Sequence, residues 1–270
     1  MINIAIIQLR TELDQDETLE KAAALVREAA AKGAELVVLP EMWSCPYSKG
    51  YFKKYAVLGH ERAWAAMSSW ARELGIYLVG GSVPEAENGR LYNSCFVFND
   101  RGEQIARHRK VHLFDVDLPG MSFKESDTFD PGEEITVFDT PWGKMGCAIC
   151  FDLRFPELFR AMALKGAKLI FLPAQFNMKT GPAHWELSLR ARAVDCQVFV
   201  AAAAAARYEG FDYECWGHSM LVDPYGIILA QADEKEQILY SQVDLGRIEE
   251  VRSMLPTSTR LRSDVYRLPV

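Results

Sequence analysis

Stretches of this chain are apolar at every position, and others are apolar only on one helical face. Ile4-Ala5-Ile6-Ile7 and Leu36-Val37-Val38-Leu39 present no polar face, as expected of strands buried on both sides in a parallel α/β layer. Between them, residues 16–32 set Leu19, Ala23, Val26 and Ala30 on one helical face, and Gly33 closes the helix. The chain therefore opens β-α-β, with its first strand over 4–8. A second helix is expected near 61–74, ended by Gly75 ahead of a strand over 76–79. Strands over 91–98 and 103–110 flank Asn99-Asp100-Arg101-Gly102, a hairpin signal. Residues 111–134 have few periodic positions and read as a long ordered loop, a length that in compact folds usually serves function.

The second half repeats the first. Lys32-Gly33-Ala34-Glu35-Leu36-Val37-Val38-Leu39-Pro40 matches Lys165-Gly166-Ala167-Lys168-Leu169-Ile170-Phe171-Leu172-Pro173. Phe98-Asn99-Asp100-Arg101-Gly102, with Ile105-Ala106, matches Val222-Asp223-Pro224-Tyr225-Gly226, with Leu229-Ala230. The period is too long for a solenoid repeat. It predicts an α/β fold in which residues 1–270 form one domain with internal pseudo-two-fold duplication. Two sheets would face each other with helices outside, giving a four-layer α-β-β-α sandwich. The duplication also supplies an internal control. After the matched proline one half carries Glu41 and the other Ala174, so the scaffold itself does not require a carboxylate there.

Composition narrows the chemistry. A net charge of −7 argues against nucleic acid or an anionic membrane surface as partner. The longest apolar run, 198–206, is too short to span a bilayer. The chain enters its first strand without a basic leader, which predicts a cytoplasmic protein. Six cysteines in 270 residues do not make a disulfide framework. Cys147 and Cys150 form a C-x-x-C pair, but on a strand they would stand roughly 10 Å apart and point to opposite faces. No second pair completes a zinc site.

The candidate chemistry centres on Gly146-Cys147-Ala148-Ile149-Cys150-Phe151-Asp152-Leu153-Arg154-Phe155-Pro156-Glu157. An apolar run ends at a cysteine, and Pro156 suits the first turn of a helix running to Leu164, stopped by Gly166. Cys150 is thus expected where a strand turns into a helix, beside free backbone N–H groups and well placed for a nucleophile. Glu41 ends an all-apolar strand at the edge where open α/β sheets bind ligands. A partly buried carboxylate there has a raised pKa and can act as general base. Lys110 closes a strand between His108 and His112; two histidines without a further ligand run make a poor metal site. Glu125, within the long loop, is one acid among many. Arg154 could pair with Asp152 or Glu157, or hold a substrate carboxylate through two hydrogen bonds. His184, in the first turn of a helix from Thr180 to about Asp195, could partner Cys150, though local bonding or an interface explains it better.

Glu41 after Pro40, Lys110 after its strand, and Cys150 in the stretch just quoted resemble the nitrilase, or carbon–nitrogen hydrolase, superfamily across essentially the whole chain. Phe123-Lys124-Glu125-Ser126, Thr180-Gly181-Pro182-Ala183-His184-Trp185-Glu186 and Arg190-Ala191-Arg192-Ala193-Val194-Asp195 resemble its ω-amidase branch. The acidic stretch Leu113-Phe114-Asp115-Val116-Asp117-Leu118-Pro119-Gly120 favours that branch over the deaminated-glutathione amidases, which share 180–186. The resemblance implies an α-β-β-α sandwich and at least a homodimer. It implies a Glu41–Lys110–Cys150 triad with Glu125 holding the substrate amide and Lys110, and no metal or cofactor. Substrate contacts are expected from Arg154, Phe151, Tyr47, Phe176 and Thr180. The implied reaction is hydrolysis of the terminal amide of 2-oxoglutaramate or 2-oxosuccinamate through a thioester. The rival readings are another small-amide hydrolase, a nitrilase, an N-carbamoyl hydrolase, and a catalytically silent binding protein on the same fold.

Overall fold

The computed structural model describes residues 1–58, 60–118, 120–207, 213–257, 260–262 and 264–266. Pro119, in the acidic stretch, lies outside the described residues. The first half contains β1 (Ile2–Gln8), α1 (Gln15–Ala31), β2 (Leu36–Val38), α2 (Lys49–Leu58), α3 (His60–Leu74), β3 (Tyr77–Val79), β4 (Val83–Glu87), β5 (Arg90–Phe98) and β6 (Gln104–Arg109). A hairpin of β7 (Asp115–Leu118) and β8 (Met121–Lys124) follows, then a 3-10 turn at Glu125–Asp127. The second half runs β9 (Val137–Thr140), β10 (Gly143–Cys147), a 3-10 turn at Cys150–Arg154, α4 (Pro156–Leu164), β11 (Leu169–Ala174), α5 (Gly181–Cys196), β12 (Phe199–Ala204), β13 (Met220–Val222) and β14 (Ile228–Gln231). The last elements are β15 (Gln237–Val243) and α6 (Gly246–Met254).

Local signals account for the helix ends. The Asp14 side chain accepts the Asp16 and Glu17 N–H groups and so caps α1. Gly33 closes that helix at φ +86°, a conformation that costs glycine little. Pro156 takes the first position of α4.

The duplication is visible in the topology. One sheet has the order β15-β1-β2-β3-β5-β4, with β6 on the other edge of β5; the second has the order β14-β13-β12-β11-β10-β9. In each, three parallel strands (β1-β2-β3, β10-β11-β12) sit beside an antiparallel outer strand on either side. The matched segments form β2 and β11, and the matched turns join β5 to β6 and β13 to β14. Alternation along β1 builds the layers. Ile4 and Ile6 join Met145, Cys147, Leu169 and Phe171 in the core that spans both sheets. Ala5 and Ile7 pack outward with Leu19, Val26 and Met67 of α1 and α3. On the far side, α4 and α5 cover the second sheet with Phe159, Met162, Trp185 and Leu189. The fold is the four-layer α-β-β-α sandwich.

Two features depart from the sequence reading. α2 was not anticipated: its sequence carries Gly50 and three aromatic residues, which are weak helix formers. Phe52 and Tyr55 pack with Met42, Cys45 and Phe129 in a small separate core, and that tertiary contact supports the helix. Residues 111–134 are not all loop, because they contain β7, β8 and the 3-10 turn. The alternation Asp115-Val116-Asp117 is too short and too exposed to register as a strand pattern.

The topology fixes where the chemistry can gather. β5 runs antiparallel to β3, and β6 antiparallel to β5, so β6 points the same way as β1, β2 and β3. The residues just past β2 and β6, Glu41 and Lys110, therefore emerge at one end of the first sheet.

Candidate active site

Cys150 is reached by an abrupt change of direction. Ile149 is still extended at φ −125°, ψ 119°, and Cys150 then takes φ +45°. A left-handed non-glycine residue is uncommon, and such strain concentrates at functional positions. Asp152 holds the turn. Its Oδ2 accepts the Ile149 N–H at 2.9 Å and lies 3.1 Å from His108 Nε2. Its Oδ1 accepts the His112 N–H at 2.9 Å and lies 2.8 Å from His112 Nδ1. Burial would raise the Asp152 pKa, but the two histidines and the Ile149 N–H hold it well below the usual carboxylate range. With the carboxylate ionised, each facing ring nitrogen must donate. The histidines on either side of Lys110 are thus engaged by a carboxylate. Among the described residues no group of three or more His, Cys, Asp and Glu side chains could hold a metal ion.

Glu41, Lys110 and Glu125 are all wholly buried. Lys110 Nζ donates to Glu41 Oε1 at 2.9 Å and to Glu125 Oε2 at 2.8 Å. Burial by itself would strip the lysine of its proton, yet the two carboxylates push its pKa up. The ammonium has three donors, and among the described residues these two bonds leave one uncommitted. Glu41 Oε2 accepts the Gln175 N–H at 2.9 Å, and Glu125 Oε2 accepts the Phe114 N–H at 2.6 Å. Glu41 and the Cys150 thiol are neighbours, each influencing the other's pKa. Burial raises the Glu41 pKa against the opposing pull of Lys110. Burial and Glu41 together raise Cys150 well above the usual thiol range, with Lys110 pulling the other way. At rest the sulfur is a thiol with a base beside it.

Cys150, Phe151, Arg154, Phe176 and Thr180 line one narrow cleft, with Gln175 and Tyr213 at its wall. Arg154 is half-buried, and its guanidinium lies 5.6 Å from the Phe151 ring centre and 5.1 Å from that of Phe176. Its Nη1 is 3.0 Å from His184 Nδ1. Among the described residues it pairs with no carboxylate: Asp152 is engaged elsewhere and Glu157 is exposed. Burial lowers its pKa, the expected state of a desolvated cation without a counter-ion. His184 is exposed and bonds Arg154, not Cys150. Tyr47 is not among the residues that line this cleft, though it lies near Glu41, Glu125 and Cys150. It is half-buried against Tyr213, with ring centres 4.5 Å apart, and its hydroxyl has no hydrogen-bonding partner among the described residues.

The profile of the carbon–nitrogen hydrolase family matches residues 3–253. The chain belongs to the carbon–nitrogen hydrolase family. The mouse omega-amidase NIT2 is 47% identical to this hydrolase over 264 residues, covering 97% of this chain and 96% of the mouse protein. The human omega-amidase NIT2 is 45% identical over the same length. The crystal structure of Nit3 from Saccharomyces cerevisiae, a member of branch 10 of the nitrilase superfamily, superposes with a TM-score of 0.89 at 40% identity, covering 97% of this chain and 96% of that one.

Sequence reasoning about this hydrolase missed two residues at the centre of the cluster. Asn93 donates from Nδ2 to Glu41 Oε1 at 2.8 Å and to Glu125 Oε1 at 3.0 Å. A signal was present, since asparagine is depleted in strands and a buried one needs partners. Gln175 links the two halves: its N–H and Nε2 both bond Glu41, and its carbonyl accepts from the Tyr213 hydroxyl at 2.6 Å. It lies one residue past Ala174, the counterpart of Glu41.

Proposed function

We propose that this hydrolase is an ω-amidase, releasing ammonia from the terminal amide of a small oxo-acid monoamide such as 2-oxoglutaramate or 2-oxosuccinamate. The observation that carries the reading is Arg154, a half-buried guanidinium without a carboxylate partner, in the same cleft as Cys150. Such a cation suits a substrate whose carboxylate lies a few carbons from the reacting amide. The mouse and human relatives named as omega-amidases support the same substrate class.

In the proposed mechanism Glu41 takes the Cys150 proton as the sulfur attacks the amide carbon. The uncommitted donor of Lys110 and the backbone N–H of Phe151, at the start of its turn, stabilise the oxyanion. Collapse of this intermediate breaks the C–N bond, and Glu41 returns its proton to the departing ammonia. Glu41 then deprotonates a water that attacks the thioester, giving the acid and restoring the thiol. Glu125 keeps Lys110 in place and orients the amide, while Phe151, Phe176 and Thr180 shape the acyl cleft. Tyr47 acts from its place against Tyr213.

The test is ammonia release from 2-oxoglutaramate, 2-oxosuccinamate, deaminated glutathione, glutamine and a simple nitrile. Arg154→Met should lower kcat/KM for the oxo-acid amides by roughly 2–5 kcal/mol, with Arg154→Lys in between because a point charge cannot make the paired bonds. A neutral short-chain amide should lose far less. Equal losses on both substrate classes would end the carboxylate-recognition reading. No helix among the described residues is long and apolar enough to cross a membrane, and the proposed site of action is the cytoplasm.

The proposed assembly is a homodimer through the outer face of α5. That helix buries Trp185 and Leu189 inward yet exposes Leu187 and Val194 beside the exposed Tyr225 and Ile227. A helix apolar on both sides ordinarily has a second partner. Leu187→Glu combined with Val194→Glu should convert the dimer to a monomer in light scattering; an unchanged dimer would place the interface elsewhere.

A further inference from the structure

Asn93 belongs to β5 and is wholly buried. Besides the two bonds from Nδ2 to Glu41 and Glu125, its backbone carbonyl accepts the Lys110 N–H at 2.9 Å. Its Oδ1 is buried without a hydrogen-bonding partner among the described residues. Turning the amide over would set that oxygen against two carboxylates. The side chain therefore leaves one of its own bonds unmade in order to serve both acids.

Asn93 and Lys110 close a ring. Glu41 and Glu125 are joined twice, once through a cation and once through a neutral amide. A second cation in place of Asn93 would neutralise the base. An apolar side chain would leave Glu125 Oε1 without its donor and Glu41 Oε1 with Lys110 alone, which favours uptake of a proton between the two acids. An amide avoids both outcomes.

We propose that Asn93 is a positioning residue for amide hydrolysis: its amide fixes the separation of Glu41 and Glu125 and supports the ionised form of Glu41, so that Glu41 is free to receive the Cys150 proton. This rests on the role given above to Glu41. The groups that face Glu41 are Lys110 past β6, Glu125 in its 3-10 turn, Cys150 past β10, and Tyr47, Tyr213 and Cys215. Of these only Lys110 is cationic, so the bonds from Asn93 and the Gln175 N–H are the remaining support for the ionised form. Loss of the Asn93 donor favours the protonated acid and moves the loss of the base to higher pH.

The test is the rate of Cys150 alkylation by iodoacetamide as a function of pH, followed by peptide mass spectrometry in wild type, Asn93→Ala and Asn93→Ser. Alkylation requires the Cys150 proton to leave, so its acid limb reports the base without reference to any substrate. The midpoint of that limb should rise by at least about half a pH unit in Asn93→Ala, and by less in Asn93→Ser, which keeps one hydroxyl donor. With 2-oxoglutaramate, kcat for Asn93→Ala should fall by about 100-fold while KM stays close to wild type. An unmoved midpoint in folded protein overturns the proposal, because a residue that only fills space would lower stability and leave the titration alone. If Asn93→Ala does not accumulate folded, Asn93→Ser decides by the same midpoint. A wild-type protein that alkylates normally but does not hydrolyse 2-oxoglutaramate would refute the substrate reading and leave the Asn93 comparison standing.

Discussion

Cys150→Ala should abolish ammonia release while leaving the fold intact. Among the described residues the sulfur is the only nucleophile in the cleft with a base beside it, and loss of a nucleophile that works as part of a unit costs about six orders of magnitude in kcat. Little structure depends on its polarity: among the described residues Sγ makes one long hydrogen bond, 3.8 Å to the Gln175 carbonyl. Alanine at φ +45° bears the same backbone strain as cysteine, so thermal unfolding should shift by only a few degrees. Cys147→Ser and Cys45→Ser should keep substantial activity, since both thiols are buried in core clusters outside the cleft. Turnover lost in Cys147→Ser but kept in Cys150→Ala would identify the other cysteine as the nucleophile.

Glu41→Gln and Lys110→Met should each lower kcat by orders of magnitude, for connected reasons. Removing Glu41 leaves a buried thiol, its pKa already raised, with no group to take its proton. Removing Lys110 withdraws an oxyanion donor, a loss of about 3–4 kcal/mol by itself. It also leaves Glu41 and Glu125 buried with only the Asn93 amide between them. One carboxylate will then hold a proton at neutral pH, and the base is compromised as well. Each single variant thus disables the function of the other, and the double variant should be scarcely worse than either. Kinetic losses that add in free energy would show two independent sites. Lys110→Met should also lower stability by about 3–5 kcal/mol, the usual cost of breaking a buried ion pair, measurable by denaturant unfolding of both proteins.

What could be read from the sequence was the part that sequence encodes locally. The apolar strands and the paired segments around Pro40 and Pro173 carry the duplication in their residues, and the sandwich follows from it. Pro156 announced α4, and the break after Ile149 announced the turn at Cys150. Glu41 stood out because Ala174 supplied a comparison within the chain. Glu125 did not, because its place against Lys110 depends on how residues 111–134 fold back over the strand ends. The partners of Asn93 and Gln175 are hidden for a related reason. Their bonds join positions 52 and 134 residues from Glu41, and nothing local marks such a pairing. The sequence offers Asp152 as a partner for Arg154, whereas it turns inward to His108 and His112 and leaves Arg154 open to the cleft.

The covalent step is the centre of the account, and acid-quenched turnover tests it most directly. Wild-type enzyme mixed with 2-oxoglutaramate, quenched in acid and digested, should yield a 2-oxoglutaryl thioester on the peptide containing Cys150, absent from Cys150→Ala and from enzyme quenched without substrate. An acyl group found on another residue, or continued ammonia release from Cys150→Ala, would contradict it.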